Sequence, residues 1–311
     1  MRTQEPNDDA SSLKRMKSHN LQTTCLIQYG VYAEGKKKAE ICFSNKKSTY
    51  SRRAFGTGSV AQSVLSKGSK GEFLSINLGW GLAVTLAVYV SGGVSGGHIN
   101  PAVSLAMSVL GRISLIKLLV YSLAQYLGAF LGAFLVYAIY YDAISAFDNG
   151  VRAVGGQTDT AGIFATYPQQ FLSIENGFAD QVFGTCLLVL CVLAITDNRN
   201  MSVSKGLIPL AVGAIVLNIG ICFGFNCGYA INPARDFSPR LFTALAGWGS
   251  EVFSVRNYGW FWVPIIGPYF GAVIGAFTYQ LLIGLHWPQK KKETNRGKIS
   301  DQSELREADE I

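Results

Sequence analysis

Charge is scarce in this sequence. Asp, Glu, Lys and Arg together make up 15% of its 311 residues, against about 25% in an ordinary soluble domain. The shortfall is uneven. Of 27 basic and 20 acidic residues, 11 basic and 5 acidic fall in 1–54, and 6 of each fall in 289–311. The 234 residues between carry 19 charges, too few to keep a folded surface of that size in water. Those charges are 10 basic against 9 acidic, so the body lacks the one-sided basic face that a nucleic-acid binder needs. Histidine is rare too, with 3 residues. The chain contains no Ser/His/Asp set, metal-ligand cluster or nucleotide-binding loop, so no catalytic residue, metal or cofactor is assigned and an enzyme is not expected. Of 6 cysteines, Cys186, Cys191 and Cys222 lie in apolar stretches, where packing is expected rather than disulfide pairing.

Apolar and glycine residues fill the space that charge leaves. Runs free of Asp, Glu, Lys and Arg cover 73–111, 118–141, 181–196, 206–234 and 257–289. A membrane-crossing helix needs about 20 mostly apolar residues, so lipid is the expected solvent for most of the chain. Two of the runs are odd for simple crossings. Each opens as an apolar helix (Leu82 to Val90; Leu207 to Ile221) and then turns glycine-rich, at Ser91-Gly92-Gly93-Val94-Ser95-Gly96-Gly97-His98 and at Gly224-Phe225-Asn226-Cys227-Gly228. The same tripeptide follows both, Asn100-Pro101-Ala102 and Asn232-Pro233-Ala234. Asn favours the N-cap and Pro the first helical position, so each tripeptide predicts a new helix start. Irregular backbone is tolerated at membrane depth only where protein or a water-filled cavity satisfies it.

The chain also repeats itself. Tyr126-Leu127-Gly128-Ala129-Phe130-Leu131-Gly132-Ala133 answers Tyr269-Phe270-Gly271-Ala272-Val273-Ile274-Gly275-Ala276, with glycines four apart that let a neighbouring helix approach closely. Paired broken segments in two halves point to a transport site. By the positive-inside rule, Arg112, Lys117, Arg199, Lys205 and Lys290-Lys291-Lys292 lie on the cytoplasmic side and the acidic 142–178 loop outside. The glycosylation triplet Asn200-Met201-Ser202 then faces the cytoplasm and goes unused.

Gly96-Gly97-His98-Ile99-Asn100-Pro101-Ala102-Val103 and Gly228-Tyr229-Ala230-Ile231-Asn232-Pro233-Ala234-Arg235-Asp236-Phe237 resemble the two signature loops of the aquaporins. Asp236, directly after Arg235, is the mark of the aquaglyceroporin branch, and Arg240, Pro264 and Ile265 also fit that branch. The resemblance runs from about Phe55 to about Trp287. It implies an all-α membrane protein, an inverted repeat whose two re-entrant half-helices meet at mid-membrane. It further implies a homotetramer in the plasma membrane, with one pore per subunit for glycerol, water, urea and similar neutral solutes. The implied pore residues are Asn100, Pro101, Ala102, Asn232, Pro233 and Ala234. The implied selectivity filter is Trp80, Gly220, Tyr229 and Arg235, with Asp236 bracing the loop. Where strict water channels of the family carry a histidine, Gly220 leaves a void that Tyr229 partly fills. Trp80 and Tyr229 then offer an apolar corner to a carbon backbone while Arg235 donates to hydroxyls. His98, at the inner mouth, is expected to be a satisfied loop residue rather than a pH sensor.

One part of the chain departs from the family. Phe55-Gly56-Thr57-Gly58-Ser59-Val60-Ala61-Gln62 matches the end of the family's first membrane helix. Before it stands Lys46-Lys47-Ser48-Thr49-Tyr50-Ser51-Arg52-Arg53-Ala54, where a central Arg or Lys exposed to hydrocarbon costs about 2.5–3.5 kcal/mol. The expected organisation is therefore a basic, disordered segment 1–54, a channel domain 55–287 and a polar cytoplasmic tail 288–311. In that organisation the first crossing is missing or replaced, one pore wall is open, and five crossings put the chain ends on opposite sides. An alternative N-terminus joined to the channel body near residue 54 accounts for this, and a marginal helix around 55–66 is not expected to substitute. Two other readings remain at this point: a non-conducting subunit that associates with full-length aquaglyceroporins, and a coupled carrier.

Overall fold

The computed structural model describes residues 40, 42, 44–201 and 203–288. Residues 1–39 of the basic segment and the tail from 289 to 311, with Lys290 to Lys292, lie outside them. Among the described residues the ordered elements are helical, apart from one isolated bridge between Ala153 and Asp159. Four helices are long and apolar enough to cross a membrane: α2 (Phe73–Ser95), α4 (Leu115–Asp148), α5 (Ile174–Thr196) and α9 (Val263–Leu282). A shorter apolar helix, α6 (Ile208–Phe223), joins them. Two short helices start at the repeated tripeptides, α3 (Pro101–Val109) and α7 (Pro233–Thr243). A one-turn helix α8 (Glu251–Ser254) follows α7.

A first helix is present. Residues 44–65 form α1, which at about 1.5 Å per residue is about 33 Å long. This corrects the expected organisation: residues 44–54 are helical and packed, and the pore wall thought open is closed. The physical reason is the placement of the polar side chains. Asn45, Ser48, Thr49, Arg52, Arg53 and Thr57 are all buried in the protein, at the three- and four-residue spacing of one helix face. The hydrocarbon penalty does not apply to arginines that point away from lipid. Lys47, which is exposed, stands at the inner end beside Asn45, whose side chain lies 3.3 Å from Ser95 Oγ. Toward the same end of α2, Tyr89 Oη donates to the Gly206 carbonyl at 2.7 Å, in the loop that begins at Asp197, whose carboxylate takes Tyr279 Oη at 3.0 Å. The described ends, residues 44 and 288, therefore lie on one side.

The glycine pairs do what their spacing predicts. A Cβ at Gly128 would stand 2.5 Å from the Lys46 carbonyl oxygen, and one at Gly132 would stand 2.7 Å from Arg53 Cβ. In the second half a Cβ at Gly275 would stand 2.5 Å from the Cys186 carbonyl, and one at Gly271 would overlap that of Val182. Thus α4 clasps α1 as α9 clasps α5. A second repeat-related contact joins α2 to α6, where Gly81 faces Leu217 and Gly213 faces Thr85. Tyr126 and Tyr269, equivalent in the two halves, meet hydroxyl to hydroxyl at 3.1 Å. Leu119, Leu123 and Leu127 on α4 are exposed, as a lipid-facing stripe should be. Helix α2 persists through the glycines of 91–93 and stops at Gly96, in the left-handed conformation at φ 77°, a conformation that favours glycine.

Candidate pore and its narrow point

The two half-helices point their N-termini at each other. Asn100 Oδ1 accepts from Ala102 N at 2.9 Å, and Asn232 Oδ1 accepts from Arg235 N at 3.0 Å, so both are N-caps with Pro at the first helical position. Each amide also crosses to the other loop: Asn100 Nδ2 donates to the Ile231 carbonyl at 2.8 Å, and Asn232 Nδ2 donates to that of Ile99 at 3.0 Å. An amide nitrogen has two hydrogens, and each crossing bond uses one. Ile99 and Ile231 hold φ values of 37° and 39°, strained for a β-branched residue. The exchanged bonds hold the loops in that shape. The helix ends carry partial positive charge, roughly half an elementary charge each, directed at the same point.

Two cavities lead to this region. The inner one, about 290 Å³, is lined by Asn100 and Asn232 with His98, Arg112, Tyr229 and Arg235. The outer one, about 400 Å³, is lined by Trp80, Asp159, Thr166, Tyr229 and Arg235 among others. Tyr229 and Arg235 line both, so the path narrows there. The Arg235 guanidinium lies over the Trp80 ring, Cζ 4.9 Å from its centroid. A Cβ on Gly220 would come 2.6 Å from Tyr229 Cζ and 2.9 Å from its hydroxyl. Tyr229 therefore leans into the space that glycine leaves. All four residues expected at the filter converge, with Trp80 and Tyr229 almost wholly buried.

The loop that carries Arg235 is braced from behind. Asp236 is fully buried; its Oδ1 takes Arg240 Nε at 2.9 Å and its Oδ2 takes Thr166 N at 2.7 Å and the Thr166 hydroxyl. Arg240 in turn donates to the carbonyls of Val252 and Thr166 at 2.7 and 2.6 Å. Asp236 does not line either cavity. On the outer wall, burial pushes the Asp159 carboxyl above its usual range, although backbone N–H groups of Gly162, Gly155 and Ala161 pull it back. His98 Nδ1 lies 3.1 Å from Ser104 Oγ, and its ring stands edge-on to Tyr121 at 5.2 Å. Among the described residues no group of three or more His, Cys, Asp or Glu could hold a metal, and the described cysteines are free thiols.

Three further residues belong here that the sequence reading passed over. Arg52 Nη1 donates to the Ile99 carbonyl at 2.9 Å, the oxygen that Asn232 also uses, and Arg52 lines the inner cavity. Arg53 donates to the Arg235 carbonyl at 3.0 Å and to that of Phe164, fastening α1 to the filter loop and to the outer loop. Asn77 packs against Gly220, where a Cβ would overlap its Oδ1. A usable signal for the arginines was in the sequence: the polar positions 45, 48, 49, 52, 53 and 57 repeat with helical spacing.

The chain matches the sequence profile of the family described as "Major intrinsic protein" over residues 21–279, so the likeness begins upstream of residue 55. It is 52% identical over 248 residues to Aquaporin-10 of Milnesium tardigradum, covering 75% of this chain and 60% of that protein. It is 51% identical over 232 residues to human Aquaporin-10 and 49% over 234 residues to human Aquaporin-9, covering 75% of this chain and 77% and 79% of theirs. Among solved structures, the aquaglyceroporin from Plasmodium falciparum superposes with a TM-score of 0.72 at 31% identity, over 80% of this chain and 98% of that one. Paired half-helices, glycine-clasped helix pairs and these likenesses agree: the chain belongs to the major intrinsic protein family, the aquaporins, and to its aquaglyceroporin branch.

Proposed function

We propose that this chain is a passive transmembrane pore for glycerol, water and other small uncharged solutes such as urea, and not an enzyme. The observation that carries the reading is the meeting of the Asn100 and Asn232 amides in the wall of the inner cavity, which reaches the outer one at Tyr229 and Arg235. A solute oxygen passing the tips accepts from the remaining amide hydrogens. That orientation breaks the water-to-water hydrogen-bond chain a proton would follow, while the two helix N-termini oppose cations. At the filter, a polyol lays its carbon edge on Trp80 and Tyr229 and its hydroxyls toward Arg235. The pairing suits a molecule that is greasy on one edge and polar on the other. Asp236 holds Arg235 in place through the loop and does not touch solute.

A plasma-membrane homotetramer, with a pore in each subunit and lipid around the outside, completes this reading. The non-conducting alternative rested on an open wall where the first helix should be, and α1 occupies that place. The test is osmotic swelling of vesicles containing the inserted chain, in glycerol and in impermeant gradients, for wild type and Gly220→His. Because Tyr229 already fills the space over Gly220, the histidine pushes that ring into the path. Glycerol permeability is expected to fall at least tenfold, and water permeability by much less. Equal falls, or unchanged glycerol flux in a correctly inserted variant, refute the filter assignment.

A further inference from the structure

We propose that Arg52 and Arg235, with Arg53 adding its charge from behind, bind a small monovalent anion where the inner cavity reaches the filter, and that the bound anion obstructs neutral solutes. The proposal rests on the filter lying in the solute path. Its basis is charge with no counter-charge. The Cζ atoms of Arg52, Arg53 and Arg235 lie 5.4, 5.5 and 4.9 Å from the centroid of the one Trp80 ring, so none of the three is more than about 11 Å from another. Arg52 and Arg53 are 7% and 2% exposed.

Three other arginines of the body are paired, Arg152 with Asp148, Arg199 with Asp197 and Arg240 with Asp236, whereas Arg256 is exposed and donates to the carbonyls of Gln169 and Gln170. No described carboxylate pairs with any of the three at the filter. Asp236 is committed to Arg240 and Thr166, and Asp159, on the outer cavity wall, takes the backbone N–H groups of Ala161 and Gly162. Unpartnered donors remain in the cluster, at Arg52 Nε, Arg53 Nε and Arg235 Nη1.

Buried charge without a partner is costly, and buried guanidinium groups are ordinarily paired with anions. A planar or spherical monovalent anion in the inner cavity, against the Arg52 and Arg235 side chains that line it, offsets the repulsion among the three charges. Guanidinium is well suited to oxyanions because its N–H groups form a planar fork. The route in is the inner cavity, which Arg52, Arg112 and Arg235 line together and to whose lining no Asp or Glu contributes. A cation is repelled by the same set. A neutral polyol and an anion therefore compete for the Arg235 guanidinium, where the inner cavity reaches the filter.

The test uses the full chain in vesicles and nitrate as the probe. Glycerol permeability is measured in potassium nitrate and in potassium gluconate at equal osmolarity and ionic strength, across a nitrate titration. Nitrate is expected to slow glycerol entry at least threefold with a saturating dose dependence. Arg52→Gln, which leaves the Arg53 clamp on Phe164 intact, is expected to abolish that dependence, and Arg52→Lys to weaken it. Glycerol flux that is present and identical in the two salts overturns the proposal. Absence of glycerol flux in every salt and variant instead overturns the pore reading. In that case tryptophan fluorescence in detergent decides the anion site. A saturable nitrate quench that is lost in both Arg52→Gln and Trp80→Phe supports it, and a quench that is linear and unaltered in Arg52→Gln overturns it.

Discussion

Asp236→Ala is the change that most directly separates bracing from solute contact. The carboxylate sits with Arg240 in a fully buried pair, 0% side-chain exposure on both partners, at 2.8 Å. It also accepts the Thr166 backbone N–H and hydroxyl. Removing it leaves the Arg240 guanidinium buried with two carbonyl partners and no counter-charge. Breaking a buried pair from one side costs about 3–5 kcal/mol, or between two and four factors of ten in the folded population. Replacing both partners by apolar residues is often near neutral, so Asp236→Leu combined with Arg240→Met should recover more than half of the loss. The assay is unfolding in mixed dodecyl sulfate and maltoside micelles, followed by far-UV circular dichroism. Single-channel selectivity should persist in whatever fraction stays folded, since Asp236 lies outside both cavities. A loss below about 1 kcal/mol for the single variant would refute the bracing argument. So would a glycerol-to-water ratio that changes in the stable double variant.

Two more outcomes follow from the packing and the loop charges. Gly132→Leu should prevent insertion or cut folded yield severely, because even a Cβ would sit 2.7 Å from Arg53 Cβ and 3.0 Å from the Tyr50 carbonyl. Gly58→Ala, with nothing within 4 Å of its Cβ, should be neutral by size-exclusion profile and yield, and comparable behaviour of the two variants would mean that α1 does not pack there. Hydrogen bonds from Arg199, aided by Tyr279, hold the Asp197 carboxyl well below its usual range against the opposing effect of burial. A depressed folded-state value contributes stability above the unfolded value, near 3.9, and loses it as pH falls below that. Asp197→Asn should thus lower the thermal midpoint more at pH 7 than near pH 2, where part of the contribution is already lost; an equal effect at both values would show that the contribution is not from ionisation.

Much of the architecture was legible in residue order because lipid imposes strict local rules. Charge-free runs of the right length had to become helices, and the repeated Asn-Pro-Ala placed two helix starts correctly, since cap and first-turn preferences are local chemistry. Tyr126 and Tyr269, Gly128 and Gly271 announced the repeat for the same reason: a two-fold-related fold writes its contacts twice. The proposed filter residues came through resemblance, since nothing local distinguishes Trp80 from an interfacial tryptophan or Gly220 from a packing glycine.

Tertiary structure alone decided the fate of 44–54. Taken by itself, Arg52-Arg53 argues against a membrane helix, because hydropathy prices each residue as though it faced lipid. Folding let α4 glycines bring α1 close, turned Arg52 and Arg53 inward, and gave them carbonyls of Ile99, Phe164 and Arg235. Those acceptors are 47, 111 and 182 residues away. A partner that distant exists only once both halves have closed around the pore. That is why a helix with a polar stripe can pack among apolar ones, and why three arginines come to face one indole.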